Sequence, residues 1–196
     1  FGADAAFTWV ASGDFNRDGR ADLGAANDGS NEVSVFLGHG DGTFRSLAPF
    51  SVMQKPRSLL VEDLDKDGAE DLVVLAYCGD AYCQSGRTLV FRGRGDGTFD
   101  RRDQFQTSSN PWEGALGDFN ADGRPDLAIS ESFGLQVFFG DGSGSFHHLA
   151  AYSDRYSSYY PSDIAVADMT GDGHQDIVVG MSRILPGNGD GTFGAT

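Results

Sequence analysis

The sequence has few cysteines, few basic side chains and no long apolar run. Its 196 residues include 2 Cys, 6 Pro and 14 Lys or Arg, against 29 Asp or Glu, so its formal net charge is −15. A surface this acidic repels phosphate backbones and anionic lipid head groups. No apolar run approaches the roughly 20 residues that a bilayer-spanning helix needs. We therefore expect neither a nucleic-acid partner nor insertion into a membrane.

The two cysteines lie close together, in the stretch Cys78-Gly-Asp-Ala-Tyr-Cys83. They form either a local disulfide that clips a hairpin or a pair of free thiols, because a metal site would need further soft ligands nearby. We predict the disulfide between Cys78 and Cys83. A disulfide in an acidic protein favours an extracellular location, either secreted or on the cell surface.

Glycine is abundant instead, at 28 residues, and many of the glycines belong to an internal repeat. The acidic pattern Asp14-Phe-Asn-Arg-Asp-Gly-Arg-Ala-Asp22 recurs from Asp63, Asp118 and Asp168, at intervals of about 50 residues. A glycine-rich turn that ends in phenylalanine follows each copy, as in Gly38-His-Gly-Asp-Gly-Thr-Phe44. The sequence therefore divides into four repeats, with approximate bounds 1–49, 50–104, 105–154 and 155–196.

Short runs rich in Val, Ile and Leu flank these motifs and predict strands. Ser58–Glu62 leads into the second acidic loop, Asp71–Ala76 leaves it, and Glu32–Leu37 precedes the first glycine-rich turn. Four antiparallel strands in each repeat of about 50 residues match the size of a propeller blade. We predict an all-β fold: one β-propeller domain over residues 1–196, built from four-stranded antiparallel blades, with four blades in this chain.

The acidic loops are predicted to bind a metal ion. Each places oxygen-bearing side chains at positions 1, 3, 5 and 9, and the glycine at position 6 permits a sharp turn. With the carbonyl of position 7, this set suits Ca²⁺ better than Mg²⁺, which keeps more of its waters. A strand residue stands at position 12, where the helix-loop-helix calcium motif needs Glu, so that motif is excluded. The alternative is a set of Asx-turns whose carboxylates bond only backbone amides.

The predicted ligands take the same five positions in every loop and imply about four Ca²⁺ ions, one per repeat. Positions 1, 3, 5, 7 and 9 are Asp14, Asn16, Asp18, Arg20 and Asp22; Asp63, Asp65, Asp67, Ala69 and Asp71; Asp118, Asn120, Asp122, Arg124 and Asp126; and Asp168, Thr170, Asp172, His174 and Asp176. Like charges crowd each loop and destabilise it without a cation, so we predict that the ion is structural.

With these motifs the sequence resembles the FG-GAP (VCBS) repeat family, which includes the integrin α-subunit propeller and propeller lectins of fungi. The D-x-[DN]-x-D-G-x-x-D loop and the G-x-G-D-G-T-F turn together extend over essentially the whole chain. The resemblance implies a calcium-stabilised β-propeller, usually of seven blades, on secreted or cell-surface proteins. This sequence departs from the family in having only four repeats and in carrying Thr170 where an Asp or Asn ligand is expected.

For function, the sequence favours a binding module that recognises a glycan or a protein ligand. Aromatic residues precede the acidic loops, and we expect them to stack on sugar rings while Arg57, Glu113 or Asp163 bonds the hydroxyls. These aromatic residues are Trp9, Trp112, Tyr156, Tyr159 and Tyr160. Packing between blades is the alternative role for each of them. A non-catalytic scaffold or targeting part of a larger secreted enzyme is the alternative function.

The sequence does not predict a catalytic site. His39 and His174 stand at variable positions of the repeats, and His147 and His148 follow the third glycine-rich turn without a nucleophile motif nearby. The acidic loops already account for most of the clustered carboxylates. We therefore expect that this chain is not an enzyme.

The number of repeats also predicts self-association. A blade needs neighbours on both faces of its sheet, and four blades in an open arc would leave two faces exposed to water. We predict a homodimer in which two chains pair head to tail and close an eight-bladed ring. The alternatives are a closed four-bladed monomer and a part of a longer propeller.

Overall fold

The computed structural model describes residues 7–52, 55–77, 85–107, 111–131, 134–153, 163–180 and 183–194. The regular elements in these ranges are β-strands, as predicted. The predicted Cys78–Cys83 disulfide and the candidate ligand-binding residues Tyr156, Tyr159 and Tyr160 lie outside them. Within the described ranges, no helix has the length and apolar character needed to cross a membrane.

The strands form antiparallel sheets that follow one another along the chain. The first sheet contains β1 (Phe7–Gly13), β2 (Asp22–Asn27), β3 (Glu32–Gly38), β4 (Phe44–Ser46) and β5 (Phe50–Ser51). The second contains β6 (Pro56–Glu62), β7 (Asp71–Ala76), β8 (Gly86–Gly93) and β9 (Phe99–Thr107). The third contains β10 (Pro111–Gly117), β11 (Asp126–Glu131), β12 (Gly134–Gly140) and β13 (Phe146–Ser153), and the fourth β14 (Ile164–Ala167), β15 (Asp176–Val179) and β16 (Arg183–Leu185). Each sheet is one blade of the predicted β-propeller.

Burial along the strands depends on whether a sheet has neighbouring sheets on both of its faces. β7 and β11 are buried over their whole length, which explains why the run Asp71-Leu-Val-Val-Leu-Ala76 has no polar alternation. β1 instead alternates between half-buried and exposed residues. The first sheet therefore has a neighbour on only one of its faces within the described part of the chain.

The sheets pack face to face in chain order. β1 lies against β6, β6 against β10, and β10 against β14. An apolar cluster fills each of the three spaces between consecutive sheets, with Phe15, Leu75 and Phe119 among the buried members of the successive clusters. No such cluster joins the fourth sheet to the first among the described residues. Among the described residues, the fourth sheet is therefore not packed against the first through an apolar cluster.

The outer strand of the first sheet is interrupted. β4 and β5 both pair with β3, where the second sheet has the single strand β9. Pro49 stands in the gap between them and has no amide proton to donate to a ladder. Phe50–Ser51 still pair in the first sheet and Phe105–Thr107 in the second, so these sheets extend past the repeat bounds at residues 49 and 104.

A close backbone approach explains the first glycine of each glycine-rich turn. In the second sheet a Cβ on Gly93 would overlap the carbonyl oxygen of Glu70, in the acidic loop of the same sheet. Gly38, Gly140 and Gly187 each face the corresponding carbonyl in their own sheets. Only glycine lets the turn and the loop come this close.

We expect Gly93→Ala to lower the free energy of unfolding by about 3 kcal/mol, because the new methyl group meets backbone rather than a movable side chain. Gly24→Ala is the matched control, since the nearest atoms to its Cβ would be side-chain carbons at 3.7 Å. Urea unfolding of both variants measures the difference. Equal stability of the two would contradict the close approach.

Candidate functional site

The first Asp of each acidic loop closes the loop through backbone amides. In the second loop Asp63 Oδ1 accepts from the amide of Asp67 at 3.1 Å, and Asp63 Oδ2 accepts from the amide of Gly68 at 2.8 Å. Asp14, Asp118 and Asp168 accept the two equivalent bonds in the other loops. These are the hydrogen bonds of the Asx-turn alternative.

The last Asp of each loop joins the loop to the glycine-rich turn. Asp71 is 2% exposed, and its two oxygens accept from the amides of Leu64 at 3.1 Å and Gly93 at 2.8 Å. The same pair of bonds recurs at Asp22, Asp126 and Asp176. From the sequence these residues were assigned only as metal ligands. The pairing of the two motifs in every repeat was the signal for this second role.

Burial perturbs two of these carboxylates. Desolvation raises the pKa of Asp71 and of Asp126 to about 6, and the acidic neighbours in each loop also raise it. The hydrogen bonds that each carboxylate accepts from backbone amides oppose this shift. Desolvation also acts on Asp176, but the amides of Gly187, Met169 and Thr170 outweigh it and lower the pKa of that carboxyl. A positive charge at the second and third loops would therefore stabilise the ionised form.

The second loop brings three carboxylates to one point. One oxygen from each of Asp63, Asp65 and Asp71 lies within 4.8 Å of the other two. Within the described ranges no other group of three acidic, His or Cys side chains meets this condition. A carboxylate has about four lone-pair sites, so an oxygen that accepts a hydrogen bond from a backbone amide can also bind a metal. This set of hard oxygen donors fits a cation such as Ca²⁺.

Two arginines pair with the remaining oxygens of the second loop. Arg92 Nη2 lies 2.6 Å from Asp67 Oδ2, and Arg92 Nε lies 3.1 Å from Asp65 Oδ2. Arg17, from the first loop, lies 3.1 Å from Asp67 Oδ1. A hydrogen bond from the backbone amide of Ala69 and the charge of the Arg92 guanidinium hold the pKa of Asp67 below its usual range. Asp67, which the sequence predicts as a metal ligand, pairs with both arginines and stands outside the trio of carboxylates. Asp65 pairs with Arg92 and belongs to the trio.

The hydrogen bonds of the four loops differ at position 3 and agree at position 7. At position 3 the side chains of Asn16, Asp65 and Asn120 each accept a hydrogen bond from the backbone amide of position 5. In the fourth loop the backbone amide of Thr170, the residue at position 3, donates a hydrogen bond to Asp176. At position 7 the amides of Arg20, Ala69, Arg124 and His174 donate to the position 5 carboxylates. The fourth loop thus departs from the others at the residue where the sequence also departs.

A cleft lies at the opposite end of the inner strands from the acidic loops. It has a volume of about 350 Å³ and draws its lining from all four sheets. Its lining residues are Thr8, Trp9, Asp28, Arg57, Trp112, Glu113 and Asp163. The structure therefore brings together Trp9 and Trp112 with the three polar residues that the sequence analysis placed beside them. Asp28, in the turn between β2 and β3, is an addition that sequence spacing did not indicate.

Contacts within the cleft hold its polar groups in place. The Arg57 guanidinium carbon lies 4.4 Å from the ring centre of Trp112 and 5.1 Å from that of Tyr77. Glu113 Oε2 accepts from the amide of Ile164 at 3.2 Å, which links the third sheet to the fourth. Burial raises the pKa of Glu113. Trp9 also packs against the first apolar cluster, so it serves both the cleft and the core.

A second cleft, of about 330 Å³, lies at the acidic-loop end between the second and third sheets. Its charged lining residues include Glu62, Asp63, Lys66, Asp118 and Arg124, and it has no aromatic wall among the described residues. The first cleft is therefore the better candidate for an organic ligand, because it combines flat apolar faces with polar groups.

We expect Asp126→Asn to lower the melting temperature by about 5 °C in excess chelator, because an amide side chain can accept only one of the bonds from Phe119 and Gly140. Asp103→Asn is the control, since that carboxylate accepts only the amide of its neighbour Gln104 among the described bonds. Calorimetry of both variants measures the difference. An unchanged melting temperature for Asp126→Asn would refute the joining role of the last Asp.

Solved structures resemble this chain, and one of them superposes well enough to show a shared fold. The structure of BBS1N in complex with ARL6DN superposes with a TM-score of 0.61 and 12% identity, covering 89% of this chain and 51% of that one. An Agrocybe aegerita lectin that recognises non-reducing terminal N-acetylglucosamine gives 0.46 at 18% identity, covering 97% of this chain and 66% of the lectin. The Tc holotoxin pore of Photorhabdus luminescens gives 0.47 at 17% identity, covering 94% and 9%. This chain thus spans about half the length of BBS1N.

The repeats themselves identify the family. A search of curated protein sequences finds no match. The model of the FG-GAP-like repeat, however, matches residues 14–74, 63–129 and 118–179. Each match begins at the first Asp of an acidic loop and runs into the strand that follows the next loop. The chain therefore belongs to the FG-GAP-like repeat family.

Proposed function

We propose that this chain is a calcium-stabilised extracellular module that binds carbohydrate in the cleft between Trp9 and Trp112. The repeat family and the propeller fold support a binding or scaffold module. The observation that favours a sugar ligand is the composition of the cleft, which gathers two indoles, one guanidinium and three carboxylates. The ligand and the location are our proposals.

The side chains of the cleft match the surface of a sugar. An indole face offers an apolar surface to the C–H groups of a pyranose ring, while its edge stays polar. Asp28, Glu113 and Asp163 can accept hydrogen bonds from hydroxyls, and Arg57 can donate. Because the carboxylates outnumber the guanidinium and the whole chain is acidic, we propose neutral glycans and not sialylated or sulfated ones.

Calcium has a supporting role in this proposal. The acidic loops lie at the far ends of the same inner strands whose first residues line the cleft. The ligands would be the oxygens of Asp63, Asp65 and Asp71 in the second loop and the equivalent residues elsewhere, at most one ion per repeat. When bound, Ca²⁺ offsets the repulsion among these carboxylates.

Glycan binding can be measured directly, since the chain has 2 Trp and both line the cleft. We expect a glycan array to yield neutral glycans in calcium buffer, and those glycans to change the intrinsic tryptophan fluorescence. Trp112→Ala should weaken binding by about 10-fold, because it removes a stacking surface. Trp112→Phe is the matched control and should lose less.

Two results would count against glycan binding in this cleft. An array without hits would favour the scaffold or targeting role. Hits whose affinity is the same for Trp112→Ala and the parent chain would place the glycan elsewhere.

Calcium removal provides a second test. We expect excess chelator to lower the melting temperature by about 5 °C or more, because the ion binds the folded loops and not the unfolded chain. Asp63→Asn should reduce this shift, whereas Asp96→Asn, at a turn carboxylate that bonds only Thr98 among the described contacts, should leave it unchanged. A melting temperature that does not change after complete metal removal would refute the structural role of calcium.

The calcium effect should also depend on pH. In the metal-free fold Asp71 and Asp126 have pKa values of about 6, above their unfolded values, so they take up protons as the pH falls through about 6. This uptake stabilises the metal-free fold and competes with Ca²⁺. The melting-temperature gain from calcium should therefore shrink between about pH 7 and about pH 5. A gain that grows on acidification would contradict this linkage.

A further inference from the structure

Arg92, near the end of β8, is placed unlike the corresponding residue of the first and third sheets. It comes directly before the first glycine of the second glycine-rich turn, where those sheets have Leu37 and Phe139. Leu37 and Phe139 each cover a glycine in the turn of the next sheet, at Gly97 and Gly191. The Arg92 side chain instead reaches back to the acidic loop of its own sheet. The second loop therefore has a cationic neighbour at a position where the other two sheets make an apolar contact.

The guanidinium of Arg92 spans two carboxylates of this loop. Its Nη2 lies 2.6 Å from Asp67 Oδ2, and its Nε lies 3.1 Å from Asp65 Oδ2. Arg17 Nη2, which comes from the first acidic loop, lies 3.1 Å from the other oxygen of Asp67. Both oxygens of Asp67 and one oxygen of Asp65 are therefore paired with a cation.

The first and third loops make the corresponding contact with a neutral group. In each of them the Asn side chain at position 3 donates a hydrogen bond of 3.1 Å to the carboxylate at position 5. The pairs are Asn16 with Asp18 and Asn120 with Asp122. Asp65 stands at position 3 of the second loop, and an ionised carboxylate cannot donate. It also gives this loop four carboxylates, where the other loops have three. The Arg92 guanidinium thus joins positions 3 and 5 of the second loop and balances its additional charge.

We propose that Arg92 is a built-in counterion of the second acidic loop and competes with Ca²⁺ for Asp65 and Asp67. The competition rests on the proposed structural role of calcium, whereas the counterion role does not. A guanidinium in contact with two carboxylates occupies lone pairs that a metal would use, and its charge repels a second cation. The second loop therefore keeps its shape without a metal and binds Ca²⁺ more weakly than its four carboxylates suggest.

Calorimetric titration with Ca²⁺ at 25 °C and about 0.15 M salt measures the competition. Arg92→Gln should lower the dissociation constant of one site about 10-fold, because it removes a positive charge beside the ion. Arg94→Gln is the matched control, since it removes the same charge from an exposed pair with Asp100 in the glycine-rich turn. Its calcium affinity should stay within about 2-fold of that of the parent chain.

Thermal unfolding in excess chelator measures the counterion role without a metal. Arg92→Gln should melt about 2–4 °C below Arg94→Gln, because the carboxylates of the second loop lose the cation that bridges them. Adding Asp65→Asn to Arg92→Gln should restore the melting temperature, since an Asn at position 3 can donate to Asp67 as Asn16 does to Asp18. If Arg92 only packed against the loop, a change of charge at Asp65 would not rescue its loss.

Each outcome decides one part of the proposal. Unchanged calcium affinity of Arg92→Gln, with a parent chain that binds calcium, would overturn the competition and leave the structural role of calcium standing. An equal gain for Arg94→Gln would also overturn it, because the effect would then come from the net charge of the chain. A parent chain that binds no calcium would refute the calcium role and the competition together. Equal melting temperatures of Arg92→Gln and Arg94→Gln in chelator would refute the counterion role.

Discussion

A buried carboxylate at the end of each acidic loop holds the blade together. Each of these carboxylates accepts one hydrogen bond from a backbone amide at the start of the loop and one from a backbone amide of the glycine-rich turn. The residues are Asp22, Asp71, Asp126 and Asp176. The bond pair draws two chain segments that are far apart in sequence to the same edge of the sheet. A buried acceptor with two amide partners satisfies groups that would otherwise lose their hydrogen bonds. The glycine of the turn follows from this contact, because any side chain there would strike the loop carbonyl.

The blades are then joined by side chains that reach from one loop to the next. Arg17 pairs with Asp67, Lys66 Nζ donates to the carbonyl of Gly123 at 2.5 Å, and Glu70 accepts the amide of Asp14. These contacts are exposed or half-exposed, so each contributes little alone. The larger contribution comes from Phe15, Leu64 and Phe119, the second residues of the first three acidic loops, which are buried between sheets. A fully buried Phe or Leu side chain contributes about 1.5–3 kcal/mol.

These contacts distinguish the structural part of each repeat from the variable part. The acidic loop and the glycine-rich turn are nearly constant, because they make the blade and its contacts. The residues at the entrance of the inner strands differ among repeats: Thr8 and Trp9, Arg57, Trp112 and Glu113, and Asp163. The packing of successive blades places them around one cleft. The lining of the cleft is therefore contributed by several blades, and no single repeat contains it.

The sequence by itself determined the strands, the repeat and the acidic loops, because these depend on local spacing: alternate oxygens, a glycine at the turn and short β-branched runs. It also indicated Trp9, Trp112, Arg57, Glu113 and Asp163 one by one as residues near strand entrances. Only the tertiary structure decided that these five line one cleft, that Asp28 joins them, and that the last Asp of each loop bonds the glycine-rich turn. Local patterns record what a residue does within its repeat, whereas the cleft arises from how successive repeats are packed.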